Sequence, residues 1–146
     1  MWHPRWHQLA RVTSVFVVTS WLIAVVVQLT NSDTPIGLAL VGSASLRAAG
    51  LGLAVGLVWG PLAAWAQGSV FVRAAAALAA GLLANITGVY VYFLVWPPEW
   101  DPGSTLKVVQ LFLFTYGIHV LPIGASGGLL AGLFASRVKM RTAEEA

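Results

Sequence analysis

Long apolar runs, separated by short polar stretches, are the main pattern along this chain. The runs cover residues 12–30, 46–66, 70–95 and 106–136. A helix of about 20 residues crosses the hydrocarbon of a bilayer, so each run is long enough for one crossing. The runs are continuous rather than alternating, which is typical of helices and not of barrel strands. The pattern predicts an all-α membrane protein, with four transmembrane helices in an antiparallel up-down bundle and a single domain over residues 1–146.

The segments outside the four runs carry separate predictions. Residues 1–11 are expected to form an interfacial N-terminal segment, and residues 137–146 a cytoplasmic tail. Residues 36–45 are apolar but too short to cross, so they predict a short interfacial helix, a re-entrant segment or the beginning of the second helix. The fourth run is longer than an upright crossing needs, which predicts tilt, a kink at Pro122 or an end outside the membrane. Ser104 is the predicted N-cap of the fourth helix.

The composition supports a membrane protein and removes several function classes. Of the 146 residues, 58% are hydrophobic and 9% are charged, whereas soluble domains have about 25% charged residues. The sequence contains no cysteine, which excludes disulfides, thiolate metal sites and thiol redox chemistry. The net charge of +3 comes from basic residues scattered between apolar runs. They form no basic stripe, so nucleic acid is not an expected partner.

The distribution of basic residues predicts the orientation. With four crossings, the side of the membrane that holds both termini carries six basic residues, which are Arg5, Arg11, Arg73, Arg137, Lys139 and Arg141. Only Arg47 and Lys107 lie on the other side. Lysine and arginine are enriched in cytoplasmic segments. The expected location is therefore a bacterial inner membrane, with both termini in the cytoplasm.

Aromatic and basic residues near the ends of the runs predict anchors at the membrane surface. Four tryptophans are expected to contact lipid headgroups or a partner, and these are Trp2, Trp6, Trp96 and Trp100. Arg47 can reach the interface and bind a lipid phosphate or a partner carboxylate. His3 and His7 would share one helical face, but no third ligand is evident, so no metal site is predicted.

Glycines at intervals of four residues predict close helix packing. The second run contains Gly52, Gly56 and Gly60, and the fourth contains Gly124, Gly128 and Gly132. The third run contains a less regular row of small residues, which includes Gly81 and Gly88. Such ladders form flat faces that let two helix backbones approach closely. They either pack the bundle internally or bind another chain.

His119 and Asn85 are the strongly polar residues near mid-membrane. On a helical wheel, Thr115 and Ser126 lie near His119, whereas Gly124 and Gly128 lie on the opposite side. Polar groups at this depth normally face protein or a cavity, so we expect the fourth helix to be buried on both sides. His119 and Asn85 have similar depths, which predicts a hydrogen bond between them, or from His119 to a partner chain.

The polar and charged side chains of the sequence decide which classes of function are expected. The sequence offers no Ser–His–acid set, no pair of membrane carboxylates and no metal cluster, so no enzyme is expected. The primary prediction is a non-catalytic accessory subunit of a larger membrane complex, by analogy a respiratory or photosynthetic one engaged in electron transport. Its partners would be other membrane subunits and lipids. One alternative is a homo-oligomeric channel or transporter, lined by Asn85, His119 and tyrosines. Another is a subunit that binds haem or chlorophyll through His119; no cofactor is otherwise predicted.

Overall fold

The described part of the chain folds into helices only, as predicted. The computed structural model describes residues 4–30, 38–99 and 102–144, and the side chains of residues 5–30, 42–99 and 102–135. Its four helices are α1 (Pro4–Thr30), α2 (Leu38–Trp65), α3 (Val70–Val95) and α4 (Thr105–Glu144). All four are long and apolar enough to cross a membrane.

The ends of the helices differ from the predicted bounds at three places. Helix α1 begins at Pro4, where the missing N–H of proline costs nothing. Gln8 and Leu9 are buried in the bundle, so residues 4–11 of the predicted N-terminal segment are part of α1. Residues 38–45 belong to α2, which is the last of the three alternatives for this segment. Helix α4 runs through Pro122 and continues to Glu144, beyond the apolar stretch that ends at Ala135.

The third helix and its two flanking turns agree more closely with the sequence pattern. Helix α3 has the predicted bounds of 70 and 95. Gly68 precedes it with a φ of +113°, a conformation that glycine adopts without strain. The Ser104 hydroxyl accepts a hydrogen bond from the Lys107 N–H at 3.4 Å, which confirms the predicted cap of α4.

Small residues fill the centre of the bundle, and large apolar residues cover its outside. Helices α1, α2, α3 and α4 contact one another in ring order, and α1 and α3 barely touch. The buried core is formed largely by alanines and valines, with Phe16 from α1. By contrast, Phe114 is 90% exposed and Ile118 is 79% exposed. Soluble proteins place such side chains inside, so this distribution fits a bundle surrounded by lipid.

Candidate functional site

The seam between α3 and α4 is the closest backbone approach among the described glycines. A methyl group added at Gly81 would overlap the Gly124 carbonyl oxygen and lie 2.8 Å from the Gly128 Cα. A methyl group at Gly128 would likewise meet the Ala77 carbonyl oxygen. Glycine is therefore present on both sides of this contact, because no side chain fits between the two backbones.

The seam between α1 and α2 is built differently. Here the glycines belong to α2 alone and face residues of α1 that carry side chains. A methyl group at Gly52 would lie 2.8 Å from the Phe16 carbonyl oxygen. At Gly60 its nearest neighbours would be the ends of the Leu9 and Val12 side chains, at 3.2 and 3.3 Å. The contact thus loosens from Gly52 toward Gly60.

Gly132 and Gly88 complete the predicted ladders, with different surroundings. A methyl group at Gly132 would lie 2.7 Å from the Ala77 Cβ, so Gly132 belongs to the seam between α3 and α4. At Gly88 the nearest neighbour would be the Val55 side chain at 3.8 Å, an ordinary contact. Apart from Gly88, the predicted ladder glycines therefore have close neighbours within this chain.

Asn85 makes a side-chain bond across the seam between α3 and α4. It is buried, and its amide donates to the Val120 carbonyl oxygen at 2.7 Å. The acceptor belongs to the residue after His119, so the predicted match in depth between Asn85 and His119 is correct. The predicted bond to the imidazole is wrong, because the glycines of α4 face α3 and this turns His119 outward.

His119 is exposed on the outer face of α4, which we define by Leu111, Phe114, Ile118 and His119. It lies near the middle of the apolar stretch Thr105–Ala135. Among the described residues, none forms a hydrogen bond or ion pair with its imidazole. The expectation that α4 is covered on both sides is therefore not met within one chain.

The exposed hydroxyl groups of Thr115 and Ser14 are satisfied by their own helices. Thr115 donates to the Leu111 carbonyl oxygen at 3.0 Å, and Ser14 donates to that of Ala10 at 2.8 Å. These short side chains can reach the carbonyl one turn earlier in the helix. A hydroxyl bonded in this way needs no hydrogen-bond partner from another chain when it faces lipid. In this respect Thr115 differs from His119, one turn later in the helix.

A shallow groove between α1 and α4 adjoins the outer face of α4. Its volume is about 540 Å³, and its walls include Val18 and Leu22 from α1. Ile123 and Ser126 line it from α4, four and seven residues after His119. Side chains at these spacings share one stripe of a helix, so the groove continues the stripe on which His119 lies.

Aromatic side chains cluster where α3 ends and α4 begins. Phe93 and Phe112 join the two helices, with ring centroids 5.5 Å apart. Tyr92 packs against Phe93 and Trp96, and Tyr116 packs against Phe112.

The Arg47 guanidinium, predicted to bind a lipid or a partner, lies 5.1 Å from the centroid of the Trp96 ring. This cation–π contact places α2 beside the same cluster.

A cavity of about 240 Å³ lies beside this cluster, among all four helices. Asn85, Tyr92 and Phe93 line it from α3, and Phe112 lines it from α4. Gln28 of α1 also lines the cavity, and its side-chain oxygen is buried with no hydrogen-bond partner among the described residues. His119 does not line the cavity, so one chain does not bring Asn85 and His119 into a common pore.

Some of these features have little signal in the sequence. Trp59 donates to the Thr87 hydroxyl at 3.2 Å and joins α2 to α3. The only signal for it in the sequence is that Trp59 lies inside an apolar run, away from the ends where tryptophans are usual. Gln28 is a polar residue in an apolar run, and such residues mark functional positions by default. No functional role was nevertheless predicted for Gln28 from the sequence. Trp6 is exposed near the beginning of α1. Trp2 and Trp100 lie outside the described residues.

Over the residues that the structure describes, these features define an all-helical protein with four helices of membrane-crossing length, a small-residue interior and an unpartnered imidazole near mid-span. Comparison of the chain with protein-family models, curated proteins and solved structures finds no match.

Proposed function

We propose that this protein is a non-catalytic accessory subunit of a larger membrane complex, and that it docks through the outer face of α4. The observation that carries the proposal is the exposed imidazole of His119 near mid-span. Ionisable groups at this depth are costly in contact with lipid, and they normally face protein or a water-filled cavity. The occupant is therefore a transmembrane helix of another subunit, offering a hydrogen-bonding group at the depth of His119.

The surroundings of His119 support a helix as the occupant. Ile118, the residue before His119, also projects a large apolar side chain outward from α4. The groove between α1 and α4 continues the stripe beyond His119. A helix laid along this stripe would cover the imidazole at one end and fill the groove at the other. The glycine seams do not contribute to this docking, because their close contacts are within the chain.

The proposed orientation has both termini in the cytoplasm of a bacterium and the helices alternating up and down across its inner membrane. The order of contacts along α1 and α2 supports the alternation. Gly52 faces Phe16, whereas Gly60, later in α2, faces Leu9, earlier in α1. The excess of basic residues on the side of the termini supports the orientation.

Single cysteines test this orientation without interference, since the sequence has none of its own. Glu99 lies between α3 and α4 and Gln67 between α2 and α3, and both are exposed. A membrane-impermeant thiol reagent added outside intact cells should label a cysteine at position 99 and not one at position 67. The reverse labelling would overturn the orientation.

The docking proposal is tested by purification from native membranes in a mild detergent, followed by mass spectrometry of the assembly. Wild-type protein should carry another membrane subunit in fixed ratio. His119→Leu should reduce recovery of that subunit at least about fivefold, because its polar group loses a partner. The matched variant Thr115→Val should leave recovery unchanged, since the Thr115 hydroxyl bonds to its own helix.

The alternatives predict other outcomes of the same experiment. An assembly that contains only copies of this chain, and conducts ions in liposomes, would favour the homo-oligomeric channel. A visible absorption band that is lost in His119→Leu would favour haem or chlorophyll as the partner of the imidazole. Equal subunit recovery with wild type and His119→Leu would overturn docking at His119.

A further inference from the structure

The cavity among the four helices is bordered by small residues on two sides and by aromatic rings on a third. Ala44 and Ala48 line it from α2, and Ala84 and Gly88 line it from α3. None of these side chains is large enough to fill the space. The rings of Tyr92, Phe93 and Phe112 form the wall between α3 and α4.

The volume indicates the size of the occupant. A cavity of about 150 Å³ lined by apolar side chains stays dry and binds benzene. At about 240 Å³, the cavity in this protein has room for a ring system larger than one benzene ring. Aromatic walls favour a flat ring, because offset and edge-to-face contacts add to simple burial.

The polar groups indicate the chemistry of the occupant. The Gln28 side-chain oxygen is buried and has no donor among the described residues. A buried acceptor without a partner loses about the free energy of an ordinary hydrogen bond or more. The Asn85 amide group already donates to Val120. The Gln28 oxygen therefore lacks a donor, which a ligand in the cavity can supply.

We propose that this cavity is a binding site for a phenolic ring of one or two fused rings. The ring packs against Tyr92, Phe93 and Phe112, and the ligand's hydroxyl donates to the Gln28 oxygen. The site is separate from the outer face of α4, so it stands whether or not His119 docks a partner.

Equilibrium dialysis of the full-length protein in a maltoside detergent tests the site, with 1-naphthol and naphthalene as the probes. Both should bind, and naphthol should bind more tightly because only naphthol can donate to Gln28. Gln28→Leu should lower the affinity for naphthol about fivefold, the effect of one ordinary hydrogen bond. The same variant should leave the affinity for naphthalene unchanged. Equal effects on both probes, or none on naphthol, would overturn the proposed hydrogen bond.

A second pair of variants tests the location. Ala48→Phe places a ring in the cavity and should abolish binding of both probes. Ala54→Phe adds the same ring at an exposed position of the same helix and should bind both probes like wild type. Should Ala48→Phe fail to fold, Ala24→Leu fills the cavity from α1 and carries the same expectation. A filled cavity that still binds naphthol with wild-type affinity would overturn the site.

Competition identifies the source of the ring. If 4-dodecylphenol displaces naphthol, the site accepts a phenolic ring carried by a membrane lipid or a lipid-soluble quinol. If only short phenols displace it, the site accepts a free small molecule. Both results support the phenolic site, and failure of every phenol to compete would contradict it.

Discussion

The two glycine seams of this bundle follow the same sequence pattern but are built differently. Between α3 and α4, Gly81 faces the backbone at Gly124 and Gly128, and neither helix has room for a methyl group. Between α1 and α2, the glycines lie on α2 only, and at Gly52 the nearest atoms of α1 are the backbone at Phe16 and Val17. At Gly60 the nearest atoms are the flexible ends of Leu9 and Val12.

The difference teaches that a glycine spacing predicts a close contact but not how close it is. The stability lost when a methyl group is added at a glycine depends on which atom lies opposite it on the other helix. A backbone atom cannot move without its helix, whereas the end of a leucine can turn aside.

Gly128→Ala should have the largest effect. Its methyl group would overlap the Ala77 carbonyl oxygen and crowd the Gly81 Cα, so the two helices must separate. We expect a loss of about 2–3 kcal/mol in the free energy of unfolding, measured by thermal unfolding in a mild detergent. Gly50→Ala is the control, because nothing lies within 4 Å of the added methyl group. Equal stability of these two variants would refute the backbone-to-backbone seam.

Gly52→Ala should have the next largest effect, within the seam between α1 and α2. The added methyl group would lie 2.8 Å from the Phe16 carbonyl oxygen and 2.9 Å from the Ser20 hydroxyl. We expect a loss of about 1–2 kcal/mol, because α1 must shift slightly. The same unfolding assay measures it. A greater loss than for Gly128→Ala would reverse the proposed order of the seams.

Asn85→Leu tests the polar bond that accompanies the seam between α3 and α4. It removes the donor to the Val120 carbonyl oxygen while keeping a side chain of similar size. Hydrogen bonds between membrane helices average about 0.6 kcal/mol and reach about 1.7, so a loss in that range is expected. Ser14→Ala, which removes a hydroxyl bonded only to its own helix, should change stability less. A stabilised Asn85→Leu protein would show that the bond does not hold the seam.

Gly60→Ala should have the smallest effect of the three glycine variants. The added methyl group would lie 3.2 Å from the Leu9 Cδ1 and 3.3 Å from the Val12 Cγ1. Both are ends of side chains that can adjust. We expect a change within about 0.5 kcal/mol. A loss as large as that of Gly52→Ala would show that the seam is equally tight along its length.

The sequence predicted helices more reliably than the faces by which they pack. Hydropathy predicted four helices and the bounds of α3, and Ser104 was predicted as the cap of α4. Helices α1 and α2 begin before the apolar runs, because polar residues such as Gln8 and Ser45 interrupt the apolar pattern yet are buried. A hydropathy pattern cannot distinguish a buried polar residue from one at the membrane surface.

The error at His119 has a specific physical cause. The helical wheel correctly placed the imidazole opposite Gly124 and Gly128, but it does not say which side faces the bundle. Once the glycines pack against α3, His119 must point outward, so its bond to Asn85 was incompatible with the seam. The true acceptor of Asn85 is a backbone carbonyl, a group that every residue carries and no sequence pattern marks. The donor-free oxygen of Gln28 likewise depends on the positions of four helices.

Photo-crosslinking in native membranes tests the central claim, that the outer face of α4 docks another membrane subunit, most directly. A benzophenone amino acid is placed at Ile118, beside His119, and separately at Leu53, which is exposed on α2. The account predicts a crosslink from position 118 to a different membrane protein, lost in His119→Leu, and only lipid adducts from position 53. Only lipid adducts from both positions, or a crosslink from 118 solely to a second copy of this chain, would contradict it.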